Sequence, residues 1–270
     1  MKKFILAAFA LAALSTVYAQ NNFTLALETS SYKYEEPTGG HPVSMSGRMY
    51  GASAEYMRSG LGNNERSFIS LDLLYMQGRA DYDGWLTDGI TYTKSQETGI
   101  GNYFLESRFK FGTAFKASEK LDFSPYLGLG GRYLVNNFGA KPGGYDRTSL
   151  YLYIPLGLNA DLRLPRGWSL GLNAEYNWLL TGKQKSQMSD VDPAWNNLSN
   201  TQNRGYGVKL SARVKKDLKR IGIFAEPFLR YWNIQQSEES VLFRPGLDPE
   251  LMVEPKNTTT EWGFKAGIYF

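Results

Sequence analysis

Two short acidic motifs, Asp81-Tyr82-Asp83 and Asp190-Val191-Asp192, are where residue type and spacing come nearest to catalysis in this 270-residue chain. Paired carboxylates can share a proton and activate a water when a neighbouring like charge raises the pKa of one of them. Asp81, Asp83, Asp190 and Asp192 are therefore the catalytic candidates, with hydrolysis as the chemistry. They lack an obvious partner base. The single histidine, His41, sits between Gly39-Gly40 and Pro42, a poor platform for a preorganised base, and any Ser-His-Asp set would have to use it. There is no cysteine nucleophile, and zinc or copper draws most of its ligands from imidazole and thiolate, so no such metal centre and no cofactor is implied. Otherwise the four acids are solvated loop side chains, or oxygen donors for a loose calcium site.

The run Pro125-Tyr126-Leu127-Gly128-Leu129-Gly130-Gly131-Arg132-Tyr133 has the glycines of a nucleotide loop but not its setting. The glycines alternate with leucines and lead into more strand, whereas a phosphate cradle opens a helix. Small residues here make room on one face of a sheet, and the expected beneficiaries are Arg132 and Tyr126.

Alternation of apolar and polar residues defines the elements that must carry these groups. In the last nine residues, Trp262, Phe264, Ala266, Ile268 and Phe270 share one face and Lys265 and Tyr269 the other. Trp262, Phe264, Ile268 and Phe270 form the membrane face of this closing strand. Nine earlier segments alternate in the same way: Asn22 to Tyr34, Arg48 to Arg58, Phe68 to Ala80, Tyr103 to Phe115, Phe123 to Val135, Leu150 to Leu162, Trp168 to Leu180, Tyr206 to Val214 and Ile221 to Asn233. Links at 58–66, 116–121, 163–167 and 215–220 are short, and those at 35–47, 81–102, 139–149, 181–204 and 235–260 are long. An even strand number with alternating short and long links predicts an all-β fold, a transmembrane antiparallel up-and-down barrel of about 10 strands with short periplasmic turns and long extracellular loops. Pro125, Pro155 and Pro227 fall inside strands, where they cannot donate to a ladder, and predict bulges or local irregularity.

The second faces of these strands carry Glu28, Glu55, Asp72, Glu106, Arg108, Lys110, Arg132, Asp161, Glu175, Lys209, Arg213, Glu226, Arg230, Glu261 and Lys265. Apolar faces such as Leu150-Leu152-Ile154-Leu156-Leu158 meet lipid, so these charges face the lumen, the reverse of a soluble exported barrel. About ten strands enclose little more than the side chains themselves. Acids and bases should pair there, giving a charge-filled lumen and a protein that is structural or binding in role, with a narrow porin-like channel as the alternative.

The N-terminus, Lys2-Lys3, then Phe4 to Leu14, then Val17-Tyr18-Ala19, reads as a secretory signal peptide over 1–19, leaving 20–270 as the barrel domain. Export places that domain in the outer membrane of a Gram-negative cell. The formal net charge of +4 loses Lys2 and Lys3 with the signal, so no nucleic-acid partner is implied. Expected partners are outer-membrane lipid and lipopolysaccharide, the latter through rim bases such as Arg48, Lys141, Arg147 and Arg204. Glu35-Glu36-Pro37 and Glu254-Pro255-Lys256-Asn257 should meet at the rim when the first and last strands pair.

The closing strand, ending on Phe270, resembles that of bacterial outer-membrane β-barrels, which implies that the barrel-assembly machinery reads it. Ten strands with acid pairs at Asp81-Asp83 and Asp190-Asp192 also resemble the omptins, ten-stranded outer-membrane proteases that activate water between an Asp pair and an Asp-His pair. The likeness is best from Phe123 to Asp192, and it implies an omptin-like hydrolase as the alternative function. In the omptin pattern a histidine stands at or close to Asp192, and this chain has none there.

Overall fold

The computed structural model describes residues 21–37, 40–61, 64–87, 92–218 and 220–270; the signal segment 1–19 lies outside them. Ten long strands make the molecule: β1 (Asn21–Glu36), β2 (Val43–Leu61), β3 (Asn64–Thr87), β4 (Tyr92–Thr113), β5 (Leu121–Asn137), β6 (Arg147–Leu164), β7 (Trp168–Ser186), β8 (Gly205–Asp217), β9 (Gly222–Ile234) and β10 (Asn257–Tyr269). Each pairs antiparallel with the next, and β10 returns to β1 from Thr24↔Tyr269 to Glu35↔Thr258, so the sheet closes. At Phe270, whose ring stacks on Phe23 at 6.0 Å, the two backbones exchange a last pair of 3.0 Å hydrogen bonds. The described termini and the short turns share one end of the barrel, the terminus end. The connections after β1, β3, β5, β7 and β9, the last two of them the longest, share the other, the loop end.

Alternation sets the two faces. Leu150, Leu152, Leu156 and Leu158 of β6 point outward, while Tyr151 and Tyr153 between them are buried inside. Trp262, Phe264, Ile268 and Phe270 likewise lie exposed on the outer face.

Lumen glycines receive aromatic rings from the neighbouring strand. A β-carbon on Gly130 would collide with the Tyr153 ring, one on Gly157 with Tyr126, one on Gly182 with Tyr151, and one on Gly207 with Trp232. All four are directly opposed pairs in the ladder, so the ring lies flat over the bare backbone where any side chain would stand. Gly130 thus serves Tyr153, and Tyr126 has its own glycine; neither serves Arg132, contrary to the sequence expectation.

At two of the three prolines the expected local irregularity is present, as a gap in one ladder. Pro125 pairs in register with Leu158, and Pro227 with Phe264. At Pro155 the β5–β6 ladder is interrupted and resumes at Gly130↔Tyr153 without a shift. A bulge does occur close by, between Leu152 and Tyr153 on the β6–β7 side, but none forms at Pro227. The missing N–H is absorbed by a locally open ladder, which costs less than changing the register of every following side chain.

Two strand pairs run further than the sequence pattern indicates. β3 and β4 continue past Ala80 to Thr87↔Tyr92, and β7 continues past Leu180 to Ser186, where it pairs with a return segment, Leu198–Gln202. These tips carry polar residues on both faces, so they show no alternation.

The charged lumen as candidate functional site

The four candidate catalytic acids are engaged locally. Asp81 sits at a register shift in β3 and accepts the Gly99 N–H at 2.9 Å, where Gly99 takes φ +71°. Asp83 binds Lys94 and accepts Gln96 Nε2 at 3.0 Å across the same hairpin. Asp190 accepts the Asp146 N–H at 2.9 Å, and Asp192 the Ala194 N–H at 2.9 Å. His41 stacks on Tyr92 with ring centroids 3.8 Å apart and meets the Trp85 ring edge-on. Among the described residues no three His, Cys, Asp or Glu side chains converge as a metal or a four-acid water site would require. Each acid organises its own hairpin or turn.

Inside the barrel, charge is arranged as hoops running from strand to strand. Asp72 stands opposite Arg108, Glu175 opposite Lys209, and Lys265 opposite both Glu28 and Glu226, because inward residues on adjacent strands meet directly in the ladder. Arg108 bridges Asp72 and Glu175 at 3.0 Å each and lies 3.6 Å from Glu106. Lys110 reaches Asp72 at 2.8 Å and Glu55 at 3.7 Å, and Arg213 joins Glu55 at 3.8 Å to Glu226. Lys265 links Glu226 at 3.5 Å to Glu28 at 3.4 Å, and Arg230 links Glu28 at 3.2 Å to Glu261 at 3.6 Å. The chain ends at Arg132, 3.0 Å from Glu261. Asp161 stands apart, 3.3 Å from Lys215 near the terminus end. Desolvating so many charges is costly, and mutual pairing in a partly wet lumen offsets that cost.

The lumen is not charged throughout. Towards the loop end it is filled by Tyr32, Met45, Met49, Met76, Ile100 and Phe104, adjoined by Tyr151, Tyr153, Trp232 and Ile234. Arg132 is the boundary residue, 1% exposed, with its guanidinium 4.1 Å from the Phe104 ring centroid and 5.9 Å from that of Trp232. Beyond this septum there is a void of ≈ 30 Å³, room for a water or two. On the other side lies a vestibule of ≈ 510 Å³, lined from Arg230 and Glu106 down to Arg66, Lys116 and Arg163 at the terminus end. Sequence reading missed this apolar half; its signal was the inward Met, Tyr and Trp of strand segments whose outward residues were already aromatic or apolar.

At the loop end a second cluster ties first and last strands together. Arg147 reaches Glu36 at 3.3 Å, Glu254, and the Tyr34 hydroxyl at 3.2 Å, so the two rim segments do meet and a base joins them. Arg147 therefore turns inward and is not an outward rim cation. Lys141 lies 3.6 Å from Glu97, while Arg48 and Arg204 are exposed. Arg48 is directly opposite Arg79, also exposed, so two like charges share one outer patch. The connections 186–205 and 234–257 pack on each other through Met188, Leu198 and Leu242, with Tyr145, Trp195 and Met252 around them. Burial there pushes the Tyr145 phenol up, against the pull of Arg147.

No protein-family profile and no curated protein matches the chain. Among solved structures, the outer membrane protease OmpT of Escherichia coli superposes with a TM-score of 0.66 at 11% identity, covering 96% of this chain and 98% of that one. The translocator domain of the autotransporter NalP from Neisseria meningitidis covers 98% of this chain and 93% of its own at 11% identity, with a TM-score of 0.39. The second score is too low to carry an argument, and the identity of the first limits it to the fold. What this chain shares with that structure, over nearly its whole length, is the closed ten-stranded architecture of the small outer-membrane β-barrels.

Proposed function

We propose that this chain is an integral outer-membrane protein of a Gram-negative cell whose barrel is occluded, and that it works as a structural or binding platform through its loop end. The carrying observation is the septum of Arg132, Glu261, Phe104, Met76 and Tyr153, each at most 1% exposed. In this reading the terminus end faces the periplasm and the loop end the exterior, since short turns belong on the periplasmic side. The signal segment 1–19 is removed during export, and the assembly machinery reads the strand ending at Phe270. The opposed Arg48 and Arg79 suit lipopolysaccharide phosphate, because like charges directly across a ladder repel unless an anion lies between them.

Planar-bilayer recording on the refolded, heat-modifiable protein tests this, with little current expected. Large, steady single-channel conductance would replace the platform with a pore. The same preparation in vesicles with and without lipopolysaccharide tests the rim, and a melting midpoint indifferent to the lipid would remove that partner. Peptide cleavage that disappears in Asp83→Asn would restore the hydrolase reading, which the local engagement of all four acids disfavours.

A further inference from the structure

Lys209 is the exception in the lumen network. It points into the vestibule from β8, and among the described residues no carboxylate lies within ion-pair reach of its ammonium. The two acids whose charges it feels most are already committed. Glu175 gives one oxygen to Arg108 at 3.0 Å and accepts the Tyr126 hydroxyl on the other at 2.7 Å. Glu226 gives one oxygen to Lys265 at 3.5 Å and the other to Arg213. Arg230, directly across β9, and the nearby Arg108 and Lys265 repel it.

An unpaired ammonium withdrawn from bulk water is expensive, and water or an anion must supply the missing acceptor. The surroundings favour the anion. Ten basic and eight acidic side chains line the vestibule, a net charge of +2 in ≈ 510 Å³. Ser211 follows two residues along the same face of β8, about 7 Å further towards the mouth, with a hydroxyl free to donate. Beyond it, at the terminus end, Arg66, Lys116, Arg163 and Lys215 outnumber Asp122 and Asp161, so the entry path carries net positive charge.

We propose that the vestibule is a binding site for a small oxyanion, held by the Lys209 ammonium and the Ser211 hydroxyl and admitted from the terminus end. Inorganic phosphate is the probe, since its tetrahedral oxygens can accept from both donors at once. This goes beyond the occluded-barrel reading, and the two fail separately: conductance reports on the septum, anion binding on the space below it.

The experiment is a calorimetric titration of the refolded full chain in detergent micelles with phosphate, against chloride at equal ionic strength. Saturable binding of phosphate over chloride is expected, weakened at least about tenfold in Lys209→Met, the loss of one charge-assisted contact. Ser211→Ala should weaken it several-fold, and Lys183→Met, on the outer face of β7, should leave it unchanged. Absence of saturable binding in the wild type, or equal affinity in Lys209→Met, overturns the proposal. Should Lys209→Met fail to show a heat-modifiable band, Ser211→Ala decides, and unchanged affinity there overturns the site as drawn.

Discussion

Arg132 concentrates the energetics of the lumen in one side chain. It is buried against Phe104 and Trp232, bound to Glu261 at 3.0 Å, and its Nε and Nη1 have no hydrogen-bond partner among the described residues. Truncation leaves Glu261 in a dry layer with Arg230, at 3.6 Å, and the Ser30 hydroxyl, at 3.2 Å, for compensation. Arg132→Ala should therefore cost about 3 kcal/mol, the low end of the range for breaking a buried pair. Arg132→Met with Glu261→Gln should cost clearly less, because neither partner is then left charged and alone. Urea unfolding midpoints in lipid vesicles measure both, and equal losses in the single and double variants would show that packing, not pairing, dominates. At this scale the sequence was informative about charge and silent about company. Inward positions of all fifteen lumen residues follow from alternation, but which carboxylate serves which base depends on the barrel's curvature, as the cross-lumen reach from Arg213 on β8 to Glu55 on β2 shows.

Strand pairing is where glycine matters most. Gly130 and Gly131 are neighbours on β5 with opposite obligations: a β-carbon on Gly130 would enter the Tyr153 ring, whereas one on Gly131 would make an ordinary 3.5 Å contact with Leu152 outside. Gly130→Ala should destabilise the barrel by about 1–3 kcal/mol, as overpacking does. Gly131→Ala should be close to neutral, within about 0.5 kcal/mol. If the two midpoints fall together, the ring-over-glycine pairs are not what fixes this ladder. The ten central strands were legible because each separates an apolar from a polar face. Their extensions were not. Past Ala80, Asp81 and Asp83 pair with a strand carrying Lys94, Gln96 and Glu97, polar on both sides, and backbone bonds with the Asp81–Gly99, Asp83–Lys94 and Asp83–Gln96 contacts declare the hairpin. Pro155 and Pro227 do produce the irregularity the sequence signals, as gaps without a shift, since a register held by two flanking ladders tolerates a missing donor.

For the molecule as a whole, filling is uneven from end to end, and the loop end is fastened by Arg147. Because that guanidinium joins Glu36 of β1 to Glu254 in the last long connection, Arg147→Ala should free the 235–256 segment while the barrel keeps its heat-modifiable mobility. Limited proteolysis should then cut that segment faster than in the wild type, and an unchanged digestion rate would show that the packing of Met188, Leu198 and Leu242 suffices to hold it. The septum has an electrical consequence as well. Where a dry layer interrupts a water-filled tube, an applied voltage falls across the layer, so Arg132 and Glu261 sense the membrane field while Glu55, Lys110 and Lys209 stay at the potential of the solution at the terminus end. Salt behaves in the complementary way. Ions entering the vestibule screen its charges over about 10 Å at 0.1 M, whereas in the occluded barrel proposed above ions outside the loop end stop at the septum. The charged hoops therefore answer to the electrolyte of one compartment and are insulated from the other.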